Sequence, residues 1–420
     1  MKKNINASIV TIGDELLIGQ VVDTNSSWMA QRLNEIGVAV KKRIAIGDSA
    51  DDIRDMLDSE SKEADVILIT GGLGPTSDDI TKEALCEYFN GKMIVNEGAL
   101  ENVKYLFEKI YNKPVSAVNL AQAEVPDVCE VIQNKRGSAP GMIFHKDSTI
   151  FISMPGVPYE MQGIMNEVIP YLQKRFELPV IIHRTILTAG IGESALAEII
   201  SDFEHNLPQE IRLAYLPSYG MVRLRLTTSG FDKAATEKLM EGQFNQLKVL
   251  VKKYMVTDED DPMQVVLGKL LVRNKKNIST AESCTGGAIA SLISSVPGAS
   301  RYYEGSIVSY SCDVKENLLG VKNKTLTEYG AVSEETVLEM LKGLLKNVKT
   351  DYGIAVSGIM GPDGGTPDKP VGTVWIAVGN KEKQVAQKFH QRFERYKNIE
   401  VTSMMALNMM RKFILESLSM

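Results

Sequence analysis

Histidine and cysteine are scarce in this chain, with four of each in 420 residues. Cys86, Cys129, Cys284 and Cys312 lie far apart, with no CxxC pair and no neighbouring histidine to complete a zinc site, so they read as reduced thiols, mostly in cores. His145, His183, His205 and His390 leave few ways to build a Ser-His-Asp triad or a histidine-rich metal centre. Hydrolytic chemistry would have to use Lys, Tyr, Asp or Glu instead. Long apolar runs are also missing. No stretch of about 18 apolar residues occurs, which excludes a membrane-spanning helix on length. Met1-Lys2-Lys3 is followed by a short apolar run that holds Ser8 and Thr11 and meets Asp14 and Glu15, so no export signal is expected and the location should be cytoplasmic. Nor is there an excess of positive charge. A net charge of -6 gives no basic field for nucleic-acid phosphates, and direct nucleic-acid binding is not expected.

What is present is a soluble globular composition, 44% hydrophobic and 24% charged, on a chain long enough for two or three domains. Residues 1–172 alternate β-branched apolar runs with helix-period runs, which predicts a mainly parallel sheet with covering helices. Strands are expected over 8–12, 38–46, 65–70 and 149–153, and helices over 25–36 and 77–89, capped by Asn25 and by Thr76 or Ser77. Residues 173–257 read as a small α+β unit, strand, helix, strand, helix, followed by the acidic run Asp258 to Pro262. Residues 258–420 return to strand-helix alternation. The fold class is therefore α/β in three domains, two three-layer domains flanking a smaller α+β one.

The chemistry-bearing stretches sit at strand ends. In "STAESCTGGAIASLISSV", Gly286 and Gly287 fall between a strand and a helix, where unpaired N–H groups and the helix dipole favour an anion beside Ser283. The same residues also fit a bland role, with Ser283 and Thr285 capping the helix and the glycines making a tight turn. The next strand end, "SIVSYSCDVK", brings Tyr310 and Lys315. A partly desolvated Lys315 can lose its charge and act as base to a serine hydroxyl, with Tyr310 passing the proton. A half-buried tyrosine and a surface lysine are the plainer reading of the same pair. A third end supplies "SGIMGPDGGTPDKPVGT", whose Gly361, Gly364 and Gly365 suit a phosphate or ribose.

These motifs, with "GAVSEETV" and "KPVGTVW", resemble the C-terminal domain of the CinA family, the competence and damage-inducible proteins, which is similar to nicotinamide mononucleotide deamidases. The resemblance implies metal-free hydrolysis of nicotinamide mononucleotide to nicotinate mononucleotide and ammonia. Ser283 would be the nucleophile, Lys315 the base and Tyr310 the proton relay, with N–H groups around Thr285, Gly286 and Gly287 holding the oxyanion. It also implies that Ser300 in "PGASRYY" lies near the site, as an alternative nucleophile, and that Arg395 meets the substrate.

In the first domain, "TIGDELLIGQVVDTNS", "TGGLGPTSDDITKE" and "SMPGVPYEMQ" bring polar clusters to strand ends. Gly71, Gly72, Gly74 and Asn25 are candidate substrate contacts, and Asp14, Glu15, Asp78, Asp79 and Glu160 candidate ligands for divalent metal. Asp78 and Asp79 also suit the first turn of a helix on dipole grounds alone. The domain resembles its CinA counterpart, related to the molybdopterin-binding fold. That implies an ADP-ribose pyrophosphatase yielding AMP and ribose 5-phosphate, with a divalent ion of the Mg, Mn or Co class and a monovalent cation beside it, whereas the C-terminal domain needs no cofactor. A pterin-nucleotide binder, or a non-catalytic protein with a recombination or competence partner, are the alternatives.

The middle segment resembles the KH-like domain of the family through "GIGESALAE" and "VRLRL". Gly190 and Gly192 are too close for a GxxG loop, and nine Lys plus Arg face eight Asp plus Glu over 181–255, which favours a structural role. A homodimer is expected, because the family's domains associate through exposed apolar helices such as "VTSMMALNMMRKF".

Overall fold

The structure is a computed structural model that describes residues 3–76, 78–218 and 220–418. It divides into two compact units, 1–182 with 227–241, and 183–226 with 242–420.

The first unit holds a six-stranded sheet, β1 (Asn6–Ile12), β2 (Ala39–Ile46), β3 (Val66–Thr70), β6 (Glu130–Ile132), β7 (Gly141–Lys146) and β8 (Thr149–Met154), with β4 (Met93–Val95) and β5 (Glu124–Pro126) paired as a separate ribbon. The sheet order is β2-β1-β3-β8-β7-β6, parallel across the first four strands and antiparallel at the last two. Strand alternation explains the layers. Val66 and Leu68 face helices Thr24–Glu35 and Pro158–Arg175, while Ile67 and Ile69 face helices Ala50–Glu60 and Thr81–Tyr88. All four are fully buried, each stabilising by about 1.5–3 kcal/mol, so β3 reads as a continuous apolar run.

Two caps differ from expectation. The helix expected at 25–36 starts at Thr24 and is capped by Asp23, which accepts from the Ser26 N–H, while Asn25 lies inside it. The helix expected from 77 starts at Thr81, so Asp78 and Asp79 precede it and Asp79 instead accepts from the Thr76 N–H at 3.0 Å. Ser77 lies outside the described residues.

The middle segment forms a four-stranded sheet, β10-β11-β9-β12, from β9 (Val180–Ala189), β10 (Ile211–Ser218), β11 (Met221–Gly230) and β12 (Met255–Thr257). The sequence reading missed β10 and β12. β12 has three residues, and β10 is an edge strand with Pro217 in it and only Ile211 buried, so neither carries a clear period-2 pattern.

The second unit's main sheet has the order β14-β13-β15-β16-β17, from β13 (Ile278–Glu282), β14 (Tyr303–Val308), β15 (Tyr352–Gly358), β16 (Thr373–Gly379) and β17 (Gln384–His390). β14, β13 and β15 are parallel, and β16 and β17 antiparallel. Helices Met263–Arg273, Ala288–Ser294 and Arg395–Leu418 cover one face, and Glu334–Val348 the other. The Met-rich stretch expected to be an exposed association surface is core. Val401, Ala406, Leu407, Met410 and Phe413 are buried, and Met404, Met405 and Met409 pack against the same cluster.

Among the described residues no helix is long and apolar enough to cross a membrane.

Gly71, directly after β3, shows how tightly the first sheet's strand ends are gathered. Its φ is +114°, and a Cβ there would lie 2.2 Å from the Ile12 carbonyl oxygen at the end of β1. Gly71→Ala should therefore cost about 1–3 kcal/mol and lower the thermal unfolding midpoint. An unchanged midpoint would contradict this packing.

Candidate active site

β13 is buried along its whole length and lies between β14 and β15, so the chain reverses its direction of winding there. In such a sheet the carboxyl ends on either side of the switch form a crevice. Three segments meet at that edge: the Ser283–Gly287 turn after β13, Ser309 and Tyr310 after β14, and the loop after β15. The Ser283 N–H donates to the Val356 carbonyl at 3.0 Å, and the Ser309 N–H to the Glu282 carbonyl at 2.8 Å, which lock the three ends together.

Lys315 enters this crevice from helix Cys312–Leu319, whose N-terminus is capped by the Ser311 hydroxyl. Its side chain is 1% exposed. Nζ lies 2.8 Å from Ser283 Oγ, 2.7 Å from the Ser309 carbonyl oxygen and 2.9 Å from the Tyr310 carbonyl oxygen. No carboxylate takes part in these contacts. Burial accordingly lowers the Lys315 pKa from its ordinary value. As placed, Nζ donates to all three oxygens, two carbonyls and the Ser283 hydroxyl; once one N–H proton is lost, the freed lone pair faces the Ser283 hydroxyl proton. Burial acts oppositely on the adjacent Cys284 thiol, pushing it up to about 12, so that sulfur stays protonated and inert.

Other expected residues sit differently. Tyr310 meets Lys315 through its carbonyl. The residue is 62% exposed, and its hydroxyl accepts from Arg395 Nη2 at 3.0 Å rather than meeting Lys315. Arg395 Nη1 donates to the Gly361 carbonyl at 2.8 Å, tying the exposed loop that contains Gly364 and Gly365 to the site. Ser300 lies before β14, and Ile278 pairs with Tyr303 at the far end of the parallel strands. Ser283 follows the near end, roughly 16 Å away along the strand, so within one chain Ser300 is not positioned as the nucleophile.

The glycine turn also differs in its amides. The Gly286 N–H donates to the Ser283 carbonyl and the Ala288 N–H to that of Thr285. The Gly287, Ile289 and Ala290 N–H groups and the Thr285 hydroxyl all donate to the Glu282 carboxylate. The anion at this helix start is therefore a side chain of the protein, and the N–H groups left for an oxyanion belong to Cys284 and Thr285. Glu282 stands inside the quoted motif but was assigned no role. Its position beside the Gly-rich helix start was the available signal.

In the first unit, the ends of β1, β3 and β8 border a cavity of about 120 Å³ lined by Thr11, Glu15, Asp23, Asn25, Thr70 and Gly156, among others. Asn25 Nδ2 donates to the Gly156 carbonyl at 2.7 Å, while its buried Oδ1 has no partner. A Cβ on Gly72 would lie 2.1 Å from Thr81 Oγ1, and one on Gly74 2.5 Å from Asp79 Oδ2. With Gly71, these glycines serve close packing of chain on chain.

Comparison with known proteins agrees with this layout. Residues 8–174 match the Probable molybdopterin binding domain family, 183–256 the Damage-inducible protein CinA KH domain family, and 260–414 the CinA C-terminal domain family. A CinA-like protein of Flavobacterium psychrophilum is 47% identical over 417 residues, covering 99% of this chain and 100% of that one. The chain belongs to the CinA family. A CinA-like protein of Cytophaga hutchinsonii is 44% identical, again over 99% of this chain and 100% of its own length. A crystal structure of a competence-damaged protein (CinA) superfamily protein from Klebsiella pneumoniae is 29% identical over 37% of this chain and 96% of that chain, with a TM-score of 0.36. The α/β class and the three-domain order read from the sequence are those of CinA proteins.

The acids expected to hold metal in the first domain of this CinA-family chain are held by different partners. Asp14 and Asp48 are joined through their main chains, the Asp14 N–H donating to Asp48 Oδ2 at 3.1 Å and the Asp48 N–H to Asp14 Oδ1 at 3.4 Å. Partial burial, with Asp14, Glu15 and Asp78 nearby, raises the Asp48 pKa. Asp79 is engaged by Thr76. Glu160 is half-buried, accepts from Asn134 Nδ2 at 2.7 Å and has its pKa raised by that burial. Carboxylate oxygens are the right donor class for Mg, Mn or Co. Among the described residues, however, no three His, Cys, Asp or Glu side chains gather as a metal-holding group. As arranged, the expected set does not form the site, and no reaction step is derived through a metal.

Burial of Lys315 has a sign in pH. Between its lowered folded value and the ordinary 10.5, the unfolded chain binds the proton more tightly than the folded one. The cost of holding the charged amine is fully present below that window and disappears as pH rises through it. In thermal unfolding, wild type should thus gain stability relative to Lys315→Met from neutral toward alkaline pH; parallel pH curves would contradict the assignment.

Proposed function

We propose that the chain is a nicotinamide-nucleotide amidohydrolase, cleaving the carboxamide of nicotinamide mononucleotide to nicotinate mononucleotide and ammonia. One observation carries the reading: Lys315 Nζ stands 2.8 Å from Ser283 Oγ, buried, with carbonyls and no carboxylate around it. An amine kept neutral beside a serine hydroxyl is what a nucleophile without histidine needs.

In this scheme Ser283 Oγ attacks the carboxamide carbon as its proton passes to Lys315 Nζ. The Cys284 and Thr285 N–H groups face the developing oxyanion, each such donor being worth about 3 kcal/mol. Collapse expels the amide nitrogen, which takes the proton from Lys315 and leaves as ammonia. Water then attacks the seryl ester as its proton passes to Lys315, which returns it to Ser283 Oγ as nicotinate mononucleotide leaves. Arg395, held between Tyr310 and Gly361, supplies a cation for the nucleotide phosphate.

Ammonia release measured in EDTA tests this. Wild type should turn over, Ser283→Ala should lose about 10⁴-fold or more, and Lys315→Ala about 10²–10⁴-fold. kcat/KM should climb with pH through an apparent value below that of ordinary lysine. Arg395→Ala should act chiefly on KM. Turnover that survives Ser283→Ala would sink the proposal.

A second reading concerns the first unit, where the unpartnered Asn25 Oδ1 at a cavity favours a ligand with a hydroxyl or amino donor. We infer that it takes a nucleotide such as ADP-ribose. Calorimetry with ADP-ribose should show binding that Asn25→Ala weakens. Binding with no turnover in any divalent metal would favour a nucleotide or pterin binder, and neither binding nor turnover in either domain would leave a competence-linked interaction protein.

A further inference from the structure

We infer that Glu282 is a positioning residue for the Ser283 nucleophile, its carboxylate taking the place at the helix start that a bound anion would otherwise occupy. The inference rests on Ser283 being the nucleophile. Glu282 is the last residue of β13 and is fully buried. Its Oε1 accepts from Thr280 Oγ1 at 3.1 Å and the Ala290 N–H at 2.8 Å. Its Oε2 accepts from Thr285 Oγ1 at 2.7 Å and from the Gly287 and Ile289 N–H groups at 3.1 Å each.

Five donors thus converge on one carboxylate, three of them at the positive end of helix Ala288–Ser294. They come from both sides of the nucleophile, residue 280 before it and residues 285–290 after it. The turn between is also held by main-chain bonds, from the Ser283, Gly286 and Ala288 N–H groups, and by the buried Cys284, but its glycines carry no side chain to add to them. Gly286 and Gly287 adopt φ of +62° and +101°, and a Cβ on Gly286 would meet nothing within 4 Å. At the two glycines side-chain packing adds nothing, and the carboxylate fastens that half of the turn through the Thr285 hydroxyl and the Gly287 N–H. The main chain of the same residue serves the other half of the site. The Glu282 carbonyl accepts from the Ser309 N–H at 2.8 Å, and the Ser309 and Tyr310 carbonyls hold Lys315 Nζ. One residue consequently sets both ends of the 2.8 Å Ser283–Lys315 contact.

The chemistry requires a carboxylate there. All five partners are donors, so the amide of Gln would turn an NH₂ toward at least one of them, and the shorter Asp could not span from Thr280 to Ala290. A displacement of about 1 Å at a nucleophile can cost on the order of 10²-fold in rate.

The test uses a fluorophosphonate, which esterifies an activated serine without needing the nucleotide, followed by intact mass and peptide mapping of the full chain. Wild type should carry one adduct, on Ser283. Glu282→Gln, assayed well below its unfolding midpoint and corrected for folded fraction, should label at least about tenfold more slowly, with the pH dependence set by Lys315 unchanged. Thr280→Val, which removes one donor without touching the turn, should slow labelling by about threefold and decides the matter if Glu282→Gln does not fold. Labelling of folded Glu282→Gln at the wild-type rate, or in its absence of Thr280→Val at the wild-type rate, overturns the inference, leaving Glu282 a stability residue only. No Ser283 adduct in wild type would instead overturn the nucleophile assignment.

Discussion

A lysine amine buried at the end of a sheet, hydrogen-bonded to two carbonyls and a serine hydroxyl, constrains the residues around it in the second unit. Charging that amine in a low-dielectric site is costly, and no carboxylate offsets the cost. Burial therefore shifts Lys315 toward the neutral amine, and the hydroxyl nearest that amine is that of Ser283. Other features follow from holding these two groups together. β13 is buried end to end and β14 and β15 flank it in parallel, so the three strands end at the same edge.

The Glu282 carboxylate solves a second problem of that edge. A glycine-rich turn gives Ser283 access to a substrate but leaves the chain loose. An internal anion fastened to the helix start restores rigidity without filling the space that the glycines leave open. The same arrangement removes most of the turn's N–H groups from anion binding. That points to Arg395 and the loop through Gly361 as the cationic side of the crevice.

The convergence of Ser283, Lys315 and the 359–372 loop was legible in the sequence, because strand-helix alternation in a parallel sheet sends successive strand ends to one edge. What was not legible depends on contacts distant in the chain. Tyr310 lies in the right segment, but its hydroxyl is turned to Arg395, a partner 85 residues on. Ser300 is near Ser283 in sequence and far in space, because the helix between them returns the chain to the opposite end of the strands. The Met-rich helix carries apolar residues on much of its surface, and only the sheet beneath it shows that they are core. In the first unit, the acid-rich strand ends were visible as candidates. Whether they gather is set by local turns, and Thr76 and Asn134 engage Asp79 and Glu160 instead.

The central claim is the neutral lysine. The most direct measurement is a pH titration of ¹³C-labelled lysine side chains by NMR, with the Lys315 resonance assigned by its loss in Lys315→Arg. The account predicts that the Lys315 resonance titrates below the ordinary value of about 10.4, its shift displaced further when Ser283 is esterified. A Lys315 resonance that titrates with the surface lysines would contradict it.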